Sequence, residues 1–314
     1  MLSKYESSGN WLILIPIQQS IKTKIELKGL ELKKWNVKIN RGILTGLNDA
    51  FIIDEQTRNS LIIQDPNSAE IIRPILRGRD IKRYKYEFGN LYVILASYES
   101  YKFIPEKYPA IYNHLLMFET PLKSRGQCRY TSSGKTNTTK DYPGQHHWLE
   151  LDNNPGPDYL NDFIKHKIVW AELARTGNSF VYDSSGYFTI AGSFILTLPS
   201  DYSSEKHYKY LVSLLNNPVT LFYLEFVYSK LDNTGWQWKK DPIEKIPLPK
   251  LSIDSVENII VSYDELIKTN TLENLVSHNI NVFNLFDLTN DEIEYIYRKL
   301  GVFSDELELF LAKI

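Results

Sequence analysis

The chain has 314 residues, a formal net charge of −2, 43% hydrophobic residues and 24% charged ones, which fits one large or two smaller globular domains and excludes a disordered or fibrous chain. Its lone cysteine, Cys128, excludes a disulfide framework and a cysteine-based zinc site and points to a reducing cytoplasm. The run LILIPI near the start is too short to span a bilayer and lacks a signal-peptide flank, so no membrane partner is expected.

Charge divides the chain unevenly. Residues 1–250 hold 32 Lys/Arg against 26 Asp/Glu, and residues 251–314 hold 4 against 12. A basic body with an acidic tail suggests two surfaces with different partners. Residues 1–34 form a lead-in, with a strand predicted at 11–17. Ile21, Ile25 and Leu32 then share a helical face, surrounded by Lys22, Lys24, Lys28, Lys33 and Lys34. Such a helix could face phosphate or simply solvent.

From residue 35 the pattern changes to strands. Val37, Ile39 and Ile43 alternate with polar residues, Thr45 to Asp49 make a turn, and Ala50 to Ile53 are apolar, so a β-hairpin is predicted. A strand at 61–64 is stopped by Asp65 and Pro66. Ser68 caps a predicted helix carrying Ile71, Ile72, Ile75 and Leu76, and Gly78 ends it. A buried strand follows at 91–95. One helix is predicted over 108–123, with Pro109 in its first turn. Residues 125–147 are polar and aliphatic-poor, a loop long enough to be functional or disordered. KIVWAEL, 167–173, is a strand. Residues 180–182 and 187–198 read as a hairpin across Asp183-Ser184-Ser185-Gly186. Helices are predicted at 204–216 and 218–228, an exposed loop at 234–240 and a closing strand at 243–251. The tail is helical, with Thr289 and Glu292 forming a capping box and Ser304 placed to cap a last helix. The expected fold is a mixed α/β region over 35–250 followed by an all-helical 251–314.

Taken in order, RGILTGLNDAFIID, PILRGRDIKRY, YPAIYNHLLMFETPLKSR, the word around Trp148-Leu149-Glu150-Leu151, YLVSLLNNPVTLFYLEF, Pro247-Leu248-Pro249 and VFNLFDLTNDEIEYI resemble the TaqI-like C-terminal specificity domain. That domain is the target-recognition region of type IIG restriction–modification enzymes and related DNA adenine methyltransferases. The resemblance covers roughly 21–300 and departs from the usual pattern at Asn217, where the family has Ser. It implies a DNA-recognition role in a restriction–modification or phage-defence system, BREX-type included. It also implies a partner methyltransferase or endonuclease, reached through the acidic tail helices, that would bring S-adenosylmethionine and magnesium.

The residues themselves carry no catalytic set. A methyltransferase needs an Asn/Asp-Pro-Pro-aromatic word to hold a flipped base, and Asn153-Asn154-Pro155 and Asn216-Asn217-Pro218 both lack it. Glu26-Leu27-Lys28 and Glu31-Leu32-Lys33 match a nuclease Glu-x-Lys triplet, yet no Asp precedes them at a useful distance. Adjacent His146 and His147 point apart on any regular element, which disfavours a shared metal. No cofactor or metal is therefore expected on this chain. Base edges are read chiefly by Arg, Asn and Gln, and phosphates are held by Lys, Arg and hydroxyls. Candidates are Arg41 and Arg79 for phosphate; Arg125, Gln127, Arg129, Tyr130, Lys135, Asn137, Lys140 and His146 in the long loop; Arg175, Thr176 and Asn178 in the following turn; and Lys230, Trp236, Gln237 and Lys239 near 230–240. They act together only if the fold brings these segments to one edge. Two alternatives stay open. A stand-alone metal-dependent nuclease would cut by itself, and a protein-interaction module would show no salt-sensitive DNA binding.

Overall fold

A sheet covered on both faces organises the chain. The computed structural model of the protein describes residues 14–128, 146–153, 155–174, 177–227, 235–249 and 253–314. In chain order, α1 (Pro16–Lys28) leads to strands β1 (Gly29–Glu31) and β2 (Lys38–Arg41). Next come α2 (Asn48–Phe51), β3 (Ile52–Asp54), α3 (Glu55–Gln64), β4 (Ile72–Leu76) and β5 (Leu91–Ile94). Helices α4 (Ile104–Lys107), α5 (Pro109–Leu116), α6 (Glu119–Lys123) and α7 (Pro157–Ile164) precede the strands β6 (Lys167–Ala171), β7 (Leu173–Ala174), β8 (Phe180–Asp183), β9 (Phe188–Thr189) and β10 (Ser193–Thr197). Then follow α8 (Glu205–Asn216), α9 (Pro218–Val227), β11 (Trp236–Gln237), α10 (Lys240–Glu244) and β12 (Pro247–Pro249). The tail is α11 (Ile253–Thr269), α12 (Leu272–Asn284), α13 (Asn290–Leu300) and α14 (Ser304–Leu311). The expected class, mixed α/β followed by helices, is the one found.

Among the described residues, β2, β10, β6 and β8 form an antiparallel sheet in that order. Side chains alternate between its faces. Ile168, Trp170, Phe180, Phe194 and Leu196 enter a core shared with α8, α9 and the tail helices. Val169, Val181 and Ile195 enter a second core, roofed by the sheet β3-β5-β4-β9. Double coverage is why β6 and β10 are buried at every position and why their sequences are apolar with little alternation.

Several expected elements change identity for identifiable reasons. The predicted 35–53 hairpin does not form, because β2 pairs with β10 while β3 pairs with β5. Residues 61–64 close a helix, which begins where Asp54 accepts the Thr57 amide at 2.8 Å. The helix predicted over 69–76 is strand β4. Pro74 has no N–H to give a helix interior, and Asp65, not Ser68, caps the 3-10 turn before it. Gly78 starts a second 3-10 turn and caps no helix. The single helix over 108–123 breaks between α5 and α6, where a continuous helix would run through Pro121. The second hairpin also fails. Asp183 builds the turn by accepting the Ser185 and Tyr187 amides, but the next strand splits at Gly192, whose φ is +94°. Its first part, β9, joins β4 in parallel, and its second, β10, joins β6. The strand predicted over 11–17 gives way to α1 from Pro16, with residues before 14 outside the described part.

The tail is built into the body. The Thr289–Glu292 capping box forms, each backbone amide meeting the other's side chain, while Ser304 is the first helical residue of α14 and not its cap. Lys24 of α1 reaches Glu292 at 2.7 Å, Ser20 bonds the same carboxylate, and Lys28 pairs with Asp287. The basic lead-in helix thus neutralises part of the acidic tail. Deeper, Arg83 donates to Glu306 at 2.5 Å and to the Asn216 carbonyl at 3.1 Å. Asn279 donates to the other Glu306 oxygen at 2.6 Å, and Asn217 donates to the Asn279 carbonyl. Burial lowers the His278 pKa to about 3, and the nearby Arg83 charge pushes it the same way.

Candidate nucleic-acid interface

One end of the central sheet carries exposed polar side chains. There β2 ends at Arg41, β6 at Ala171, and β10 begins at Ser193. Between β6 and β7, Glu172 is held by its backbone on both sides. Its N–H donates to the Gly192 carbonyl at 2.8 Å, and its carbonyl accepts the Trp238 N–H at 2.7 Å. The β7–β11 ladder, Trp236 opposite Ala174 and Gln237 opposite Leu173, then brings the segment before α10 to this end.

The side chains follow from that backbone. The Glu172 carboxylate, 15% exposed, accepts Gln237 Nε2 on Oε1 at 3.0 Å and Arg41 Nη2 on Oε2 at 3.4 Å. Arg41 is itself 59% exposed, and the Tyr159 hydroxyl donates to its carbonyl at 2.6 Å. Lys239 is exposed at the start of α10, directly after Trp238, whose carbonyl accepts Trp170 Nε1 at 2.8 Å. The 3-10 turn carrying Arg79 packs at the same end, since a Cβ on Gly78 would lie 3.3 Å from Ala171 Cβ and 3.6 Å from the Gly192 carbonyl. Arg79 is exposed, while Arg77 clamps Asp80 through two bonds of 2.8–2.9 Å. Burial works against ionising Asp80, but the Arg77 bonds outweigh it and keep its pKa below the usual carboxylate value. Arg41, Arg79, Trp236, Gln237 and Lys239 therefore gather at one end.

Three other candidates are interior braces, which corrects their expected placement at a duplex. Arg125 is 9% exposed, and its guanidinium donates to the carbonyls of Leu122, Thr45, Trp148 and Glu150. Burial draws its pKa down to about 10. His146 is fully buried, with Nε2 3.2 Å from Asp152 and Nδ1 3.0 Å from the His147 carbonyl. Asn178 is 1% exposed and donates to the carbonyls of Leu215 and Asn217. Arg125 and Asn178 thus supply donors to carbonyls at the ends of α6 and α8 and in the segments around Thr45 and 148–150, where no ladder partner stands.

Gln127 is half-buried beside the bridge between Cys128 and His146, which joins the stems of the long polar segment. Arg129, Tyr130, Lys135, Asn137, Lys140, Arg175, Thr176 and Lys230 lie outside the described residues. Thr45 and Gly46 serve the backbone: the Thr45 hydroxyl donates to Asn48 Oδ1 at 2.6 Å, and Gly46 has φ +71°. Sequence reasoning missed Glu172, an acid inside an apolar strand word whose only signal was that it interrupts the run.

The comparisons agree with this architecture. The family model of the TaqI-like C-terminal specificity domain matches residues 73–248, more than half of the chain. No curated protein matches the chain in sequence. Among solved structures, the chain is similar to the type IIL restriction-modification enzyme MmeI in complex with DNA, with TM-score 0.53, 10% identity, and coverage of 88% of this chain and 36% of that one. It is also similar to the type IIG restriction endonuclease BpuSI, with TM-score 0.51, 10% identity, and coverage of 91% of this chain and 34% of that one. The likeness is one of fold, and the chain spans about a third of the length of each. With the family model covering most of the α/β region, the chain belongs to the TaqI-like C-terminal specificity domain family.

Proposed function

We propose that the chain is a sequence-specific DNA-recognition module of a restriction–modification system, which selects a duplex site for chemistry performed elsewhere. The observation that carries this is the sheet end, where Arg41, Gln237 and Lys239 sit on or beside the paired strands β2 and β11 and the turn carrying Arg79 packs against Ala171. Rigid backbone with exposed Arg and Lys beside a half-buried Gln suits phosphate positioning and base-edge contact together. Family membership and the fold shared with MmeI, a protein solved with DNA, support the same function.

The chemistry belongs to a partner in this proposal. An adenine-N6 methyltransferase using S-adenosylmethionine, and a magnesium-dependent nuclease, lie on a separate domain or subunit in the cytoplasm. The partner docks on the exposed acids of the tail, among them Glu257, Glu265, Glu273 and Glu308. No helix among the described residues is long and apolar enough to cross a membrane.

The test is duplex binding by the purified chain. Recognition predicts affinity that falls steeply with added salt and a reproducible sequence enriched from a random duplex pool. Cleavage or methylation by this chain alone would overturn the division of labour. Binding indifferent to both salt and sequence would overturn recognition itself.

A further inference from the structure

Glu172 is out of place on a surface meant for a polyanion. A carboxylate there repels phosphate unless it does something more specific. Its two oxygens are occupied by Gln237 Nε2 at 3.0 Å and Arg41 Nη2 at 3.4 Å. Its backbone is fixed independently by the Gly192 and Trp238 bonds.

The chemistry of that contact fixes the direction of the Gln237 amide. An ionised carboxylate only accepts hydrogen bonds, so the amide must turn its NH2 toward Glu172. The amide is planar, so with its N–H anti to the carbonyl on Glu172 the oxygen points away, and the syn N–H is left beside that oxygen. The register of β11 on β7 holds the backbone beneath it. An acceptor beside a single remaining donor matches the amine and N7 edge of adenine. It mismatches guanine, whose O6 and N7 both accept.

We infer that Glu172 is a positioning residue for base selection: it locks the Gln237 amide so that its carbonyl oxygen meets an amine-bearing base, adenine foremost, and it steadies Arg41 beside it. This rests on the duplex-recognition function proposed above. Glu172→Gln keeps the shape and removes the constraint, because an amide at 172 can face either end of Gln237. Glu172→Ala frees Gln237 altogether, and neither change touches the backbone bonds of residue 172.

The experiment is selection from a random duplex pool with the full-length wild type, Glu172→Gln and Glu172→Ala, alongside melting temperatures. The wild type should show a position with a strong amine-base preference. In either variant that position alone should lose discrimination, on the order of tenfold, with the other positions unchanged. Unchanged discrimination, or affinity raised equally for all sequences, would overturn the inference and leave recognition standing. A wild type that enriches no sequence would instead sink the recognition proposal. If Glu172→Gln fails to fold, Glu172→Ala decides the matter.

Discussion

Arginine does opposite jobs in two regions of this protein. In the interior, Arg125, Asn178 and the Arg83–Glu306–Asn279 set spend their hydrogen-bonding capacity on backbone carbonyls and on each other. At the sheet end, Arg41, Arg79 and Lys239 are exposed. Residue type alone does not separate the two. What separates them is whether the local backbone has spare carbonyls to satisfy. A donor-rich side chain beside unpaired carbonyls is captured by them, whereas Arg41, at the end of the paired strand β2, keeps a mostly exposed guanidinium.

The contrast breaks most visibly at Arg83. Replacing it with Met strands the buried Glu306, and stability should fall by about 3–5 kcal/mol in denaturant unfolding. Binding per folded molecule should not change. Arg125→Ala leaves several carbonyls unpaired and should cost about 3 kcal/mol, again without a specific loss of affinity. A stable Arg125 variant that has lost DNA binding would return this residue to the interface. Acid sharpens the interior side further. The folded pKa of His278 is about 3, below the ordinary 6.5, so the unfolded chain takes up the proton first as pH falls. This contribution is intact above about pH 6.5 and is lost on descending toward pH 3, by about 3 kcal/mol at pH 4. Stability-versus-pH curves of the wild type and His278→Gln isolate it by difference: lowered histidines and carboxylates elsewhere make both curves descend, and the wild type should descend more steeply between pH 6 and 4. The smallest effect on stability belongs to the exposed end. Arg41→Ala with Lys239→Ala should move stability by no more than about 0.5 kcal/mol per site. Duplex affinity should weaken, and the slope of log K against log salt should flatten by about one unit per side chain.

Legibility in the sequence followed how locally each feature is decided. The capping box at Thr289, Pro109 at a helix start and the strand words of β5 and β6 are local, and each forms where expected, with β6 buried throughout and β5 only in its second half. Strand partnership is not local. Both expected hairpins had convincing turns, yet the strands flanking each turn join different sheets, because burying the central sheet on both faces outweighs pairing with the nearest neighbour. Segment 72–76 fits helical and strand periods equally, and Pro74 was the signal that decides it. At the site, Arg41 and Gln237 were identifiable by type, but their meeting at Glu172 depends on the β7–β11 ladder, which two-residue strands do not announce. Arg125 and His146 were misplaced because a polar loop conceals which of its side chains fold back to brace it.

Amide hydrogen exchange of the full chain, with and without saturating cognate duplex, puts the account to its most direct test. Exchange should slow at 38–44, 171–174 and 235–239, with α11 to α14 unchanged. Slowing confined to the tail helices, or none at the sheet end, would contradict it.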